Sequence, residues 1–310
     1  MKKNHAFIIP VHNQPLLLAR SLKVLEYPNH YFFIHVDKRV KEYDDFINAL
    51  NGINNVIFVK RVKVYHGGIS QVYATISLLE SVKNHPINFD YVHQISGQDY
   101  PLRSNEQFDD FFENTDESFM CYNYEEDMDK WKPLYKLWQY GYNNNGKPDI
   151  INRAIGKLGQ TKLINFLFPR KEIPGYQGGW DWFSWSDKVV DYVMDCLCAP
   201  NYYRGINLLK RFDRLQSPSE HIYHTILYDK LDEFHIRKHY PLRYISWHPH
   251  RPIATDYRPF NLTELDYEFV INSPTFFCRK VDQNESAKFL DMIDNQRGNS
   301  FDITKYNDFL

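Results

Sequence analysis

Two carboxylates and one pair of adjacent cations are the groups in this 310-residue chain best placed to do chemistry. Glu220 lies in "SPSEHIYHT" (Ser217–Thr225). The stretch reads as a helix start, with Ser217 as N-cap, Pro218 at the first helical position and Glu220 completing a capping box. The same placement would present a carboxylate from the helix start into a crevice, where it can act as a general base. His221 and His224 share a helix face and raise a zinc reading, but an H-x-x-E-H pattern would need histidine where Ser217 stands. Asp181 is the lone acid of "YQGGWDWFSWS" (Tyr176–Ser186), flanked by Trp180 and Trp182. Indole faces bind the apolar faces of sugar rings, and Gly178 and Gly179 permit close backbone approach. A buried aromatic strand is the other reading. Arg279 and Lys280 directly follow the apolar run of "PTFFCRKVD". Such a pair at a strand exit can hold a diphosphate without a metal, or form an exposed basic turn.

The elements that must position these groups are legible in the first hundred residues. "HAFIIP" reads as a buried strand, with Asn13 as cap of the next helix and Pro15 in its first turn. "YFFIHVD" (Tyr31–Asp37) and "NVIFVK" are further strands, apolar almost throughout as parallel strands covered on both faces are. "GISQVYATISLLESVKNH" puts Ile69, Val72, Ile76, Leu79 and Val82 on one helical face. "YVHQIS" is the next strand, and Ser104 with Gln107 forms a capping box that opens another helix. The alternation predicts a parallel sheet with right-handed crossovers. Its strand ends at Asp37 and at Gly97–Asp99, in "SGQDYPLR", should share one crevice, where open α/β sheets hold ligands.

No G-x-G-x-x-G and no P-loop pattern is present, which removes the main support for ordinary dinucleotide or P-loop chemistry. Asp37 is followed by Lys38 and Arg39, so the Asp-x-Asp grip on a metal–diphosphate is missing there. The Asp-x-Asp of "EEDMDK" (Glu125–Lys130) has no strand leading into it. A net charge of −2 provides no basic field for nucleic acid. The four cysteines lack Cys-x-x-Cys spacing and read as reduced thiols of a cytoplasmic protein. No stretch reaches the roughly 20 apolar residues of a membrane span. From Lys147 to Glu172, six cations (Lys147, Arg153, Lys157, Lys162, Arg170, Lys171) face only Asp149 and Glu172. This segment reads as a basic amphipathic helix resting on an anionic membrane, or as a packed helix with a solvated basic face.

Taken in order, "IHVD", "ISGQDYPLR", "GGWDWFSWS", "SPSEHIYHT" and "PTFFCRK" resemble the core-2/I-branching glycosyltransferases, family 14, and their relatives the peptide O-xylosyltransferases. The similarity runs from about residue 5 to residue 282. It implies an α/β chain of GT-A type, with a mostly parallel central sheet flanked by helices. It also implies a UDP-sugar donor, GlcNAc or xylose favoured, with inversion at the anomeric carbon and neither a metal nor any other cofactor. Carried over by position, Glu220 matches the catalytic base and Asp181 an aspartate at the reacting centre. Asp37 and Tyr65 would contact the nucleoside, Asp99 the donor sugar's hydroxyls, and Arg279 with Lys280 the diphosphate. Trp180 and Trp182 would face the acceptor. A further family arginine corresponds to Arg251 or Arg258. The expected organisation is one domain over residues 1–310, with a nucleotide-binding half to about residue 115 and an acceptor-binding, catalytic half from about residue 116. Golgi members carry a membrane anchor and many cysteines, so the resemblance is to a bacterial-type cytoplasmic member, peripheral on the inner face of the membrane. A glycan or lipid-linked saccharide of surface polysaccharide synthesis is the expected acceptor. The competing function is a non-catalytic nucleotide- or glycan-binding protein on the same scaffold.

Overall fold

A computed structural model describes residues 2–123, 161–167, 173–213, 215, 217–246 and 259–298. Its strands are β1 His5–Val11, β2 His30–Val36, β3 Val56–Phe58, β4 Tyr91–Gln94, β5 Asp99–Pro101, β6 Ser118–Tyr122, β7 Gly179–Ser186, β8 Ile236–Arg237, β9 Arg243–Ile245 and β10 Phe277–Arg279. The helices are α1 Pro15–Leu25, α2 Tyr43–Leu50, α3 Ser70–Lys83, α4 Asn105–Glu113, α5 Lys162–Leu167, α6 Asp187–Cys198, α7 Leu208–Phe212, α8 Ser219–Leu227, α9 Tyr267–Ile271 and α10 Ala287–Gln296.

Seven strands form the main sheet in the order β3-β2-β1-β4-β7-β6-β8, and three form a small one, β5-β10-β9. β1 and β2 bury nearly every residue because helices cover both faces. One layer is built from α3, α6 and α8 through Ile69, Val72, Leu79, Val193 and Ile222. The other comes from α1, α2 and α4 through Leu18, Leu22, Phe46 and Phe112. All five apolar positions expected on the inner face of α3 lie in the first of these cores. Both sheets draw strands from before and after residue 116.

β3, β2, β1 and β4 run parallel, as expected. β7 departs from that pattern: it lies antiparallel to β4, with Tyr91 opposite Ser186 and His93 opposite Ser184. The start of β7 therefore sits at the carboxyl end of β4, which delivers Asp181 to the crevice. Gly178 and Gly179 make this possible. A Cβ on Gly178 would collide with His221, and one on Gly179 with the Cys121 carbonyl and His224. Their bare backbone lets β7 press against α8.

Two local expectations change. Asn13 does not cap α1; Gln14 occupies that position with φ 56°, and no side chain caps the helix. Gln14 instead donates to Asp282 (2.9 Å) and accepts from the Gln283 amide (2.7 Å), tying the exit of β1 to the exit of β10. The capping box at Ser104 and Gln107 forms as read. At Ser217 it does not, and that difference bears on the site.

Candidate active site

The crevice at the strand ends is assembled around Val11, the last residue of β1. The Asp37 amide donates to the Val11 carbonyl (2.9 Å). Gly97 packs so closely on the Val11 side chain that a Cβ there would lie 3.0 Å from it. The expected meeting of the two strand ends is therefore present.

α8 presents the first carboxylate. The helix begins at Ser219 and no side chain caps it. Ser217 has φ 47° in the left-handed region, and its carbonyl accepts from the Glu220 amide at 3.0 Å. An N-cap serine needs extended backbone, so the capping-box reading of Glu220 fails and its carboxylate is left to the crevice. Ser219 Oγ donates to Asp181 Oδ2 (3.3 Å), which sets the neighbour of Glu220 directly against the second carboxylate. Asp181 Oδ1 is sealed from solvent without a hydrogen-bond partner.

Burial raises the pKa of both acids. Asp181 is partly held back by the Ser219 hydrogen bond and the positive charge of Arg279. Glu220 is raised first by desolvation and then by repulsion from Asp181. Its side chain remains open to solvent on one side. Glu220 is thus a residue on the wall of a cleft, hemmed in by protein yet reachable. A carboxyl held above its ordinary range near neutral pH is suited to taking a proton.

The small sheet delivers the cations. Arg279 pairs with Asp99 across β10 and β5, and Arg243 lies on β9 beside β10. Arg279 Nη1 donates to Ser96 Oγ at 2.5 Å, and its guanidinium sits 4.4 Å from the ring centre of Trp182. Arg243 lies 5.3 Å from the same ring and donates to the Gln94 carbonyl (3.0 Å). Gln94 Nε2 in turn donates to the Asp181 carbonyl (3.0 Å), joining the cations to the acids.

One expected role needs correction here. The Asp99 side chain is 0 % exposed and pairs with Arg243 (3.0 Å) and Arg279 (3.6 Å). It therefore anchors guanidinium groups and does not offer its oxygens to a sugar. Trp182, expected at the acceptor, packs against both arginines. Trp180 remains half-buried on the same face of β7, where strand alternation places it.

Asp37 is almost fully engaged. It accepts from the Arg39 amide (2.9 Å), the Val64 amide (3.2 Å) and the Arg39 side chain (2.7 Å). These bonds outweigh burial and hold its carboxyl below the ordinary range. Arg39 in turn lies 4.7 Å over the Tyr65 ring. Asp37 thus shapes the wall on which Tyr65 stands. His12, next after Val11, lies within the field of Asp37, Arg39 and Lys280, and desolvation with the two cations lowers its pKa against the pull of Asp37. Lys280 is therefore within electrostatic reach of the Asp37 cluster, although 243 residues separate it from that strand end in sequence order (280 less 37).

The zinc reading of His221 and His224 fails on packing. His221 stacks on Tyr176 (ring centres 5.1 Å apart), and His224 bonds the Cys121 carbonyl (3.0 Å). Burial pushes both pKa values down, to about 4 and about 3. Among the described residues no third ligand joins them. Arg251, Arg258 and the Asp-x-Asp of residues 125–130 lie outside the described residues. Arg243, Ser96 and Ser219 join the site without having been singled out from the sequence. A lone arginine inside "PLRYIS" was the available signal for the first, since a charge in an apolar strand requires a buried partner.

A shallow hollow of about 340 Å³ lined by Glu117, Leu231, Asp232, His235, Ile236 and Arg237 lies elsewhere. It sits at the amino end of β6, which runs parallel to β4, and so at the opposite edge of the sheet from these groups.

The family model described as Core-2/I-Branching enzyme matches residues 5–271. Xylosyltransferase 2 of Pan troglodytes and of Homo sapiens are each 25 % identical to this chain, the alignment covering 93 % of it and 33 % of each relative. A human beta-1,3-galactosyl-O-glycosyl-glycoprotein beta-1,6-N-acetylglucosaminyltransferase is 26 % identical over 61 % of this chain and 41 % of its own. The chain thus spans about a third of the length of the xylosyltransferases it matches. Among solved structures, the galactosyltransferase LgtC overlaps 53 % of this chain and 70 % of its own, with 14 % identity and a TM-score of 0.28. With a family model running from the first strand to the end of α9, the chain belongs to the Core-2/I-branching enzyme family.

Proposed function

We propose that this chain is an inverting, metal-independent glycosyltransferase that moves a sugar from a UDP-sugar to a hydroxyl of a glycan or lipid-linked saccharide. GlcNAc and xylose are the favoured sugars, since the relatives' names specify transfer of these two. The observation that carries the reading is the Asp181–Glu220 pair, raised in pKa and set beside Arg279. Glu220 takes the acceptor hydroxyl's proton while that oxygen bonds the anomeric carbon. The bond from this carbon to the diphosphate oxygen breaks on the opposite face, and its electron pair leaves with UDP. Arg279 and Lys280 meet the charge that develops there. Preorganised cations in a site that excludes water supply several kcal/mol of such stabilisation. Asp181, closer to Arg279, orients the reacting groups and keeps Glu220 basic by repulsion.

The described residues at the strand ends support metal independence: Asp37 is taken by Arg39, and Asp99 by Arg243 and Arg279. Neither offers a free carboxylate to a metal–diphosphate. The test is a panel of UDP-sugars scored for thermal stabilisation and slow donor hydrolysis, with and without brief EDTA treatment. Turnover of one donor, unchanged by chelation, is the expected result. Turnover that vanishes on chelation and returns with Mn²⁺ would overturn metal independence. Binding without turnover, with any acceptor, would make the chain a nucleotide- or glycan-binding protein.

The site works against a membrane surface on the cytoplasmic side, where a lipid-linked acceptor would be presented. α5, within the basic segment, exposes Leu163 (65 %), Phe166 (82 %) and Leu167 (55 %). No described helix is long and apolar enough to cross a membrane. Exposed apolar side chains in a segment whose sequence is rich in lysine and arginine suit a helix lying in the interface plane. Binding to phosphatidylglycerol vesicles should weaken with salt, because ions screen exposed charges beyond about 10 Å at 0.1 M. Lys157→Glu with Lys162→Glu should weaken it further. Equal partition onto neutral and anionic vesicles would count against the membrane role.

A further inference from the structure

At the opposite end of the sheet from the transfer site, three ligand-type side chains converge. His5 opens β1, His30 opens β2, and Asp109 comes from α4. One donor atom from each lies within 4.8 Å of the others. All three residues are buried, at 0 %, 0 % and 1 % exposure.

The hydrogen bonding around them leaves one direction unused. His30 Nδ1 lies 2.8 Å from the Leu25 carbonyl, which can only accept, so this nitrogen carries a hydrogen. His30 Nε2 then points to Asp109 Oδ1 at 2.9 Å. His5 Nδ1 is engaged by His93 Nε2 (3.0 Å), and His93 Nδ1 by Ser184 Oγ (2.9 Å). His5 Nε2 faces the same Asp109 oxygen at 3.8 Å, sealed from solvent and without a hydrogen-bond partner. Asn29 and Lys2 occupy the other oxygen, Oδ2, at 3.0 and 3.3 Å. Oδ1 is thereby left to the two imidazoles.

We infer that His5, His30 and Asp109 bind a divalent transition-metal ion, with zinc the best chemical match, as a structural cross-link between β1, β2 and α4. Two imidazole nitrogens and one carboxylate oxygen are a donor set that zinc accepts, and they leave the fourth tetrahedral position to water. Ligating histidines usually donate their other N–H to a carbonyl or similar acceptor, which fixes the tautomer. Leu25 and His93 stand where such acceptors belong. With His5 Nδ1 engaged by His93, the buried and unpartnered Nε2 is the nitrogen left to bind an ion. The ion would lie beneath the amino ends of the strands and take no part in sugar transfer, so the inference stands apart from the proposed function. Brief chelation in the donor panel would leave so buried an ion in place.

The test is metal content of tag-free protein purified from zinc-supplemented medium, with cobalt substitution as a second readout. Wild type should hold about one zinc per chain, and the cobalt form should show the visible bands of a tetrahedral ion. Asp109→Asn keeps the side-chain shape but weakens the donor, and should cut zinc affinity by more than about 100-fold. Should Asp109→Asn fail to fold, wild type alone decides: prolonged dialysis against a strong chelator should lower its melting temperature, and zinc should restore it. Wild type that holds no zinc as purified, shows no cobalt bands and melts at one temperature with or without zinc would overturn the site and leave an ordinary buried hydrogen-bond network.

Discussion

Glu220→Gln should lower turnover by about 10²–10⁴-fold, while UDP affinity stays near that of wild type. The amide keeps the shape of the carboxylate but cannot take a proton. A capping role predicted the opposite outcome, with turnover nearly intact, and the geometry at Ser217 already removes that role. Asp181→Asn distinguishes base from helper through pH. In wild type, both carboxyls are raised, so the acid limb of kcat/KM should lie above the usual carboxylate range. Losing the negative charge of Asp181 removes one of the two causes that raise Glu220. The acid limb of Asp181→Asn should therefore move to lower pH, with residual activity. A dead Asp181→Asn enzyme beside an active Glu220→Gln enzyme would exchange the two roles. Stability carries the same sign. A carboxyl whose folded pKa is raised favours the folded state while protonated, and that advantage is lost as pH rises from the unfolded value through the folded one. Glu220→Gln should thus melt no lower than wild type at neutral pH, and higher above it.

Arg279→Ala should cost about 10²–10³-fold in kcat, the range seen when one preorganised donor to a developing anion is removed. Fold stability should change little, because Asp99 keeps its partner Arg243 at 3.0 Å. Arg279→Lys should fall between, since it retains the charge but not the fork that reaches Ser96 and Asp99. Arg243→Ala supplies the contrast. Its side chain is 2 % exposed, and removal leaves Asp99 buried beside Arg279 alone. Breaking a buried pair costs about 3–5 kcal/mol, so this variant should show itself first in melting temperature. An Arg279→Ala enzyme with full kcat would remove it from the diphosphate site.

The parts of the fold legible in the sequence were those set by local pattern. The apolar runs of β1, β2 and β4 and the inner face of α3 follow from burial on both sides of a parallel sheet. The reversed insertion of β7 beside β4 was not legible, because pairing between residues 91 and 186 leaves no local trace. Glycines mark it indirectly: Gly178 and Gly179 serve the packing of β7 on α8, where the sequence could equally have meant ligand approach. Among the site residues, Glu220, Asp181 and Arg279 were recognisable by type and order, and the structure brings them together. Asp99 was recognisable as a buried strand-end acid, but which way it turned depended on Arg243, 144 residues further on (243 less 99). A one-letter pattern records that a carboxylate is present, whereas its partner decides whether it binds substrate or holds another side chain.

The most direct measurement of the central claim, a single displacement driven by one carboxylate base, is the anomer of the sugar first released when water replaces the acceptor. With an α-linked donor such as UDP-GlcNAc or UDP-xylose, proton NMR of the fresh product should show the β anomer, and Glu220→Gln should slow its appearance. The α anomer as first product would mean retention, and would contradict both the mechanism and the role of Glu220.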